Sequence, residues 1–157
     1  MTQEEIHARL KERFGEAVQE WRPPEAGDAF MAVAAESLHE ACRFLRDEPD
    51  LQFDFLRAIS AVDRGDQFVS VYHLYSYAHG HGVVLHVYLG HDGPRVSSVA
   101  DLWRAAEWHE REAFDMMGIV YEGHPDPHRI LLPDDWEGHP LRKDYVAPRE
   151  YHGLTNE

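Results

Sequence analysis

Histidines clustered near residue 80 are the first side chains in this sequence that could carry out chemistry. His79, His81 and His86 lie in and beside a segment with two glycines, and imidazole is the commonest metal-binding side chain. Two ligands at positions i and i+2 of a flexible loop tip form a poorly preorganised site, however. Solvated loop histidines are therefore the preferred interpretation, with a metal-binding hairpin as the alternative.

Two adjacent acids, Asp134 and Asp135, form a second candidate site. Neighbouring carboxylates can bind magnesium or transfer protons. Because they follow a proline, they more simply cap a turn or pair with the basic side chains of Arg142 and Lys143. We therefore predict a structural role for them.

A charged run over residues 110–115 supplies the third candidate. In a helix the side chains of Glu110 and Glu112 point in different directions, so they cannot share a proton. Arg111 and Asp115 are four residues apart and are predicted to pair along the helix surface. The sequence has no nucleophile elbow, glycine-rich phosphate loop or dinucleotide fingerprint. These residues therefore do not predict a self-contained active site.

Charge and cysteine content exclude further classes. The 157 residues include 29 acidic and 15 basic side chains, for a net charge of −14, which disfavours binding to nucleic acid or to anionic lipid. The single cysteine, Cys42, excludes an intrachain disulfide framework and an iron–sulfur cluster held by this chain alone. No apolar run reaches the roughly 18–20 residues of a membrane span, and the polar N-terminus predicts no secretory signal. We expect a cytoplasmic protein.

Three amphipathic helices are predicted to support these side chains. Thr2 and Glu5 have the spacing of a capping box at the first helix, and Ser37 and Glu40 have it at the second. Gly118 is well placed to end the third helix, which is predicted to open at Ser98. Cys42 falls on the apolar stripe of the second helix, which is typical of a buried small side chain. The predicted helices cover residues 2–14, 38–47 and 98–117.

Strand patterns are clearest over 68–77 and 83–89. The second run alternates apolar and polar side chains, and the first is rich in valine and tyrosine. Residues 78–82, with two glycines, predict a hairpin loop between them. Further predictions are a short strand over 30–34, a short strand as the preferred interpretation of 51–63, and a loop over 23–27.

Together these elements predict an α+β domain over 1–120, with a mixed or antiparallel sheet and helices on one face, followed by an extended tail over 121–157. Five of the nine prolines lie in 123–157, but Trp136, Leu141 and Tyr145 make this segment more apolar than a disordered tail. We therefore expect the tail to lie against its own domain or, preferentially, against another subunit.

The tail contains one internal repeat. The sequence Glu-Gly-His-Pro at 122–125 recurs at 137–140. Each copy places a flexible glycine before a histidine that the following proline keeps extended. Coincidence in a proline-rich stretch is one interpretation, and two matching contact points on a partner is the other.

Three segments of the C-terminal half resemble the signature of the C subunit of respiratory NADH-quinone oxidoreductase, complex I. They are EREAFDMMGI at 110–119, EGHPD at 122–126 and RILLPDDWEGHPLRKDY at 129–145. Looser similarity at 44–46, 61–63, 71–75 and 98–103 extends the resemblance over nearly the whole chain.

The resemblance implies a non-catalytic structural subunit of the hydrophilic arm, peripheral on the cytoplasmic side of the cell membrane. It implies that the tail docks on the large quinone-module subunit (the D subunit), which forms the quinone site and the terminal iron–sulfur cluster region together with the cluster-bearing B subunit. It also implies that this chain binds no cofactor and no metal, whereas FMN, iron–sulfur clusters, NADH and quinone are bound by other subunits of the complex.

The signature residues are accordingly predicted to form the subunit interface. Its basic side chains are expected to make ion pairs, because guanidinium groups suit carboxylates, and Trp136, Leu141 and Tyr145 are expected to be buried anchors. The basic residues are Arg111, Arg129, Arg142 and Lys143. The remaining predicted interface residues are Glu110, Glu112, Asp115, His124, Asp134, Asp135, His139 and Asp144.

Two alternatives stay open. One is the homologous subunit of a membrane-bound hydrogenase-type complex, which would share the fold and the signature. The other is a free-standing metal-dependent hydrolase that uses His79, His81 and the pair of acids at 134–135.

Overall fold

A five-stranded mixed sheet forms the centre of the chain in a computed structural model, which describes residues 1–23 and 28–155. The strand order is β1-β2-β5-β4-β3, and all neighbours are antiparallel except β2 and β5. The predicted α+β fold with a mixed sheet is confirmed. Most of the predicted loop at 23–27 lies outside the described residues. The strands are β1 (Val18–Arg22), β2 (Phe30–Val33), β3 (Phe55–Asp63), β4 (Gln67–Ser76) and β5 (His81–Gly90).

Three α-helices, two short 3₁₀ turns and two small strand pairs complete the described structure. Strands β6 and β7 pair in parallel, and β8 and β9 form an antiparallel pair in the tail. None of the described helices is both long enough and apolar enough to cross a membrane. The helices are α1 (Gln3–Phe14), α2 (Leu38–Asp47) and α3 (Ala106–Met117), and the short strands are β6 (Arg95–Ser97), β7 (Val120–Glu122), β8 (Glu150–Tyr151) and β9 (Leu154–Thr155).

Local sequence signals succeed at α1 and fail at the start of α2. At α1, the Thr2 hydroxyl accepts from the Glu5 N–H at 3.2 Å, and the Glu5 carboxylate accepts from the Thr2 N–H at 2.8 Å. The capping box predicted at Ser37 is wrong, because a 3₁₀ turn over 35–37 runs directly into α2 and leaves Ser37 with helical backbone angles.

The start of α3 also differs from the prediction. The helix begins at Ala106 rather than at Ser98, because the Ser98 hydroxyl and the Val99 N–H donate to the carboxylate of Glu110 within the helix. These bonds fold the preceding segment back over α3. At its other end the helix finishes as predicted at Gly118, whose φ of 71° is left-handed.

The helices supply the main core on one face of the sheet, as predicted. Ile6 of α1, Leu45 of α2 and Ala113 of α3 share one buried cluster with Tyr72 of β4. Cys42 is fully buried in the same cluster, which confirms its predicted structural role. Burial of apolar surface on this face is the main source of stability for the domain.

The domain extends past the predicted boundary at residue 120. Tyr121 of β7 is 5% exposed, and its hydroxyl shares a hydrogen bond of 3.0 Å with Ser70 of the central sheet. Strand β7 therefore belongs to the domain, and the tail of the described structure comprises residues 123–155.

Candidate functional site

The carboxylate of Asp115 joins the tail to α3. Its Oδ2 accepts the backbone N–H groups of Ile130, Leu131 and Leu132 at 3.0, 2.7 and 2.9 Å. Its Oδ1 accepts from the Arg129 guanidinium at 2.7 Å, and the carboxylate is 0% exposed. Burial raises the pKa of Asp115, but the three backbone hydrogen bonds and the bond from Arg129 outweigh it, so the pKa lies below its ordinary value.

Arg111 bonds to the tail and not to Asp115. Its guanidinium donates to the carbonyl oxygens of His128 and Arg129, at 3.0 Å in each case, and lies over the ring of Trp108. The predicted pair between Arg111 and Asp115 is wrong. The i to i+4 spacing places both residues on neighbouring turns, but Asp115 faces inward, where the tail already satisfies both of its oxygens.

The two copies of Glu-Gly-His-Pro make matching contacts. His124 donates from Nε2 to the carbonyl of Glu107, and His139 donates from Nδ1 to the carbonyl of Asp115, both at 3.0 Å. The glycines before them have positive φ angles of 84° and 81°. The repeat therefore encodes two matching contact points, but both lie on α3 of the same chain and not on a partner, where one interpretation predicted them.

The C-terminal end of α3 is covered by the tail. The Arg142 guanidinium donates to the carbonyl of Met117 at 2.7 Å, and the Leu141 N–H donates to that of Met116 at 3.1 Å. The last carbonyls of a helix have no partner within the helix and favour a nearby cation. Arg142 supplies both the hydrogen bond and the charge.

Gly118 allows this close approach. A Cβ atom at this position would lie 2.4 Å from the Arg142 guanidinium and 2.5 Å from the His139 ring. Together with its left-handed φ, this leaves room only for glycine. The sequence pattern identified the end of the helix here but not the contact with the tail.

A further contact joins the tail to the end of β3. Asp63 accepts the Lys143 N–H at 2.8 Å and the Gly65 N–H at 2.7 Å. The bond from Lys143 is the larger of these influences, and together they hold the pKa of Asp63 below its ordinary value despite burial. No local pattern in the sequence marks Asp63 as a site residue, since its partner is 80 residues away.

Glu110 is an interior residue of the same region. It is 0% exposed and accepts hydrogen bonds from the Ser98 hydroxyl at 2.5 Å and the Val99 N–H at 2.8 Å. Burial raises the pKa of Glu110 to about 7, although the two hydrogen bonds lower it. Glu112 is exposed, so the two carboxylates do not face each other, as predicted.

Asp135 pairs within the tail rather than with the predicted bases. Its carboxylate accepts the Tyr151 hydroxyl at 2.8 Å and the His152 ring N–H at 2.7 Å. The predicted pairing with Arg142 and Lys143 is therefore wrong for Asp135. The structure instead uses the carboxylate to fix the β8–β9 hairpin.

The predicted anchors differ in burial. The Trp136 indole donates to the Tyr145 hydroxyl at 3.1 Å, and both side chains are half-buried within the chain. Leu141 is 58% exposed. It lies at a cleft of about 140 Å³ between β3 and α3, which Met116 and Met117 also line.

The histidines near residue 80 are used in packing. His79 and His81 donate to backbone carbonyls of residues 49–51 at 2.8 and 2.9 Å. His81 is only 8% exposed, so the expectation of a solvated loop is wrong for it, while His79 is exposed as predicted. His86 stacks on Phe30 with ring centroids 3.8 Å apart.

Most of the polar groups at this site bind other groups of the same chain, whereas several large apolar side chains face outward. The exposed apolar residues of α3 and the tail are Trp108, Leu131, Leu141, Val146 and Leu154.

Comparison with known proteins gives a consistent result. Residues 31–151 match the model of a family described as the 30 kDa subunit of respiratory-chain NADH dehydrogenase. The C subunit of NADH-quinone oxidoreductase from Chloroherpeton thalassium is 42% identical over 147 residues, which cover 92% of this chain and 61% of the relative. The protein of the same name from Roseiflexus castenholzii is 49% identical over 132 residues, which cover 82% of this chain and 76% of the relative.

Two solved structures are similar in fold. A trypsin-resistant fragment (1–134) of Nqo5 has a TM-score of 0.68 at 28% identity, and the match covers 80% of this chain and 99% of the fragment. A chain of the membrane-bound sulfane sulfur reductase, an archaeal respiratory membrane complex, has a TM-score of 0.74 at 26% identity. The match covers 91% of this chain and 85% of that chain.

Proposed function

This chain belongs to the family of the 30 kDa subunit of respiratory-chain NADH dehydrogenase, and we propose that it is a non-catalytic structural subunit of a proton-translocating NADH-quinone oxidoreductase. In this role it lies in the hydrophilic arm, peripheral on the cytoplasmic side of the cell membrane. The relatives, which are named as the C subunit of that enzyme, support the assignment.

The observation that carries the proposed role is the form of the tail. Asp115, Arg129 and Arg142 fix it to α3 through buried or half-buried bonds. Leu131 and Leu141 nevertheless remain 61% and 58% exposed. Since apolar side chains on an ordered backbone bind a partner with little loss of conformational entropy, this surface is suited to docking.

We propose that the partner is the large quinone-module D subunit, with the B subunit adjacent. The chain would then position the quinone-reducing module without taking part in its chemistry. Cys42 supports a role in which this chain binds no iron–sulfur cluster. Metal ligation needs the thiolate, and burial raises the pKa of this thiol above its ordinary value. FMN, iron–sulfur clusters, NADH and quinone would all be bound by other subunits.

A second candidate is the homologous subunit of a membrane-bound complex of the hydrogenase type, with another electron donor. The similarity to the sulfane sulfur reductase chain favours it. Relatives at 42% and 49% identity that carry the NADH-quinone oxidoreductase name favour the first assignment. The free-standing hydrolase has no such support, because in the described ranges the one group of three potential metal ligands contains none of its proposed residues.

The two candidates differ in what accompanies the chain. We expect a tagged copy, purified from detergent-solubilised membranes of its source organism, to carry the D and B subunits and NADH:quinone reductase activity. Hydrogenase-type subunits in their place would support the second candidate. Recovery of the chain alone would contradict both.

A surface variant tests the docking face. Leu141→Asp places a charge on the exposed surface and should reduce the recovery of the D subunit at least tenfold without unfolding the chain. Tyr77→Asp is the matched control. Tyr77 is 68% exposed in the β4–β5 turn, which lies near the start of β3, whereas Asp63 and its contact with the tail lie at the other end of that strand. Equal recovery with both variants would contradict the proposed surface.

A further inference from the structure

Three potential metal ligands from distant parts of the sequence meet where the tail crosses the sheet. Asp63 ends β3, His91 directly follows β5, and Asp144 lies in the tail. Their ligand atoms all lie within 4.8 Å of one another, and His91 Nε2 is 3.9 Å from an oxygen of Asp144. No spacing motif in the sequence indicates this group, because each ligand comes from a different element.

The first two ligands are already oriented. Asp63 is 6% exposed, and each of its oxygens accepts one backbone N–H, which leaves each oxygen a second lone pair. The His91 ring lies nearly parallel to Phe68, at 17° and a centroid distance of 4.9 Å. Within the described part of the chain, neither ring nitrogen of His91 makes a hydrogen bond. Nε2, which faces the Asp144 carboxylate, is therefore available to a metal ion.

The third ligand can adjust to the ion. Asp144 has a side chain that is 61% exposed, so it can rotate toward an ion held by the other two. Metal–ligand distances of about 2.0–2.2 Å need only a small contraction of the observed group. Solvent can supply a fourth ligand on the exposed side.

We infer that Asp63, His91 and Asp144 bind a divalent transition-metal ion, with Zn²⁺ as the best match. Zn²⁺ accepts imidazole nitrogen and carboxylate oxygen as ligands and can keep a fourth position open to water, whereas Mg²⁺ and Ca²⁺ prefer oxygen ligands alone. The ion would join the tail to the ends of β3 and β5. The inference departs from the sequence-based expectation that this chain binds no metal, and it does not depend on the proposed function.

Zinc titration of the full-length chain tests this site. After treatment with a chelator, isothermal titration with ZnCl₂ should give one site per chain, and His91→Ala and Asp144→Asn should each weaken binding at least tenfold. Asp144 is exposed and His91 is half-buried outside the main core cluster, so the fold should be retained in both variants. His79→Ala is the matched control, since His79 is an exposed histidine bonded to a carbonyl of another segment, and it should leave the affinity unchanged.

A second measurement tests the effect on the tail. Zn²⁺ should slow tryptic cleavage after Arg142 and Lys143 in the parent chain and in His79→Ala, but not in His91→Ala. The inference is wrong if no stoichiometric site is found, or if His91→Ala and His79→Ala bind Zn²⁺ equally well.

Discussion

Replacement of Asp115 should release the tail from α3. The carboxylate is 0% exposed, pairs with Arg129 and accepts three backbone N–H groups from residues 130–132. Removing one partner of a buried ion pair costs about 3–5 kcal/mol. We expect Asp115→Ala to destabilise the docked tail by this amount, rather than by the sum of its hydrogen bonds, because a released tail regains bonds to water.

Amide hydrogen exchange measures this loss directly. A destabilisation of about 3 kcal/mol corresponds to roughly a hundredfold faster exchange of the Leu131 amide. Glu112→Ala, on the exposed side of the same helix, should change exchange by less than threefold, because such surface substitutions stay within about 0.5 kcal/mol. Unchanged protection of the amides at 130–132 in Asp115→Ala would refute the role of this carboxylate.

Two further predictions concern pH and backbone geometry. Burial raises the pKa of Glu110 from 4.5 to about 7, so its contribution is fully present below pH 4.5 and is lost as the pH rises through 7, by about 3 kcal/mol. Guanidinium denaturation should give a lower free energy of unfolding at pH 8 than at pH 5 in the parent chain but not in Glu110→Gln. If the free energy of unfolding falls equally in the variant, another group causes the pH dependence. Gly118→Ala should destabilise the chain by more than the about 1–2 kcal/mol of left-handed strain, since its Cβ meets Arg142 and His139. Gly65→Ala, with a positive φ but open space, should show the strain alone, and equal losses would argue against close packing of the tail at Gly118.

Elements that depend on local sequence were predictable. The capping residues of α1, the glycine that ends α3 and the alternation in β5 each act within a few residues, and the structure has all three. The repeat in the tail also marked two real contact points. The groups that these histidines contact could not be read from the sequence. His124 and His139 bond to backbone carbonyls, and every residue has a backbone carbonyl, so no residue type marks the partner.

Two of the failed predictions have a common physical cause. Ser98 has the residue type of a helix cap, but its hydroxyl binds Glu110 instead. Arg111 and Asp115 have ideal spacing for a surface pair, but both side chains form hydrogen bonds with the tail instead. In each case a buried carboxylate is satisfied by a tertiary contact, which is stronger than the local preference.

The central claim is that the face around Leu141 is the surface that meets the rest of the complex. Thiol labelling tests it directly, because the native Cys42 is 0% exposed and should not react. A maleimide should label Leu141→Cys rapidly in the free chain and at least tenfold more slowly in the assembled complex, while Tyr77→Cys should react equally in both. Equal labelling of Leu141→Cys in the free chain and in the complex would contradict the claim.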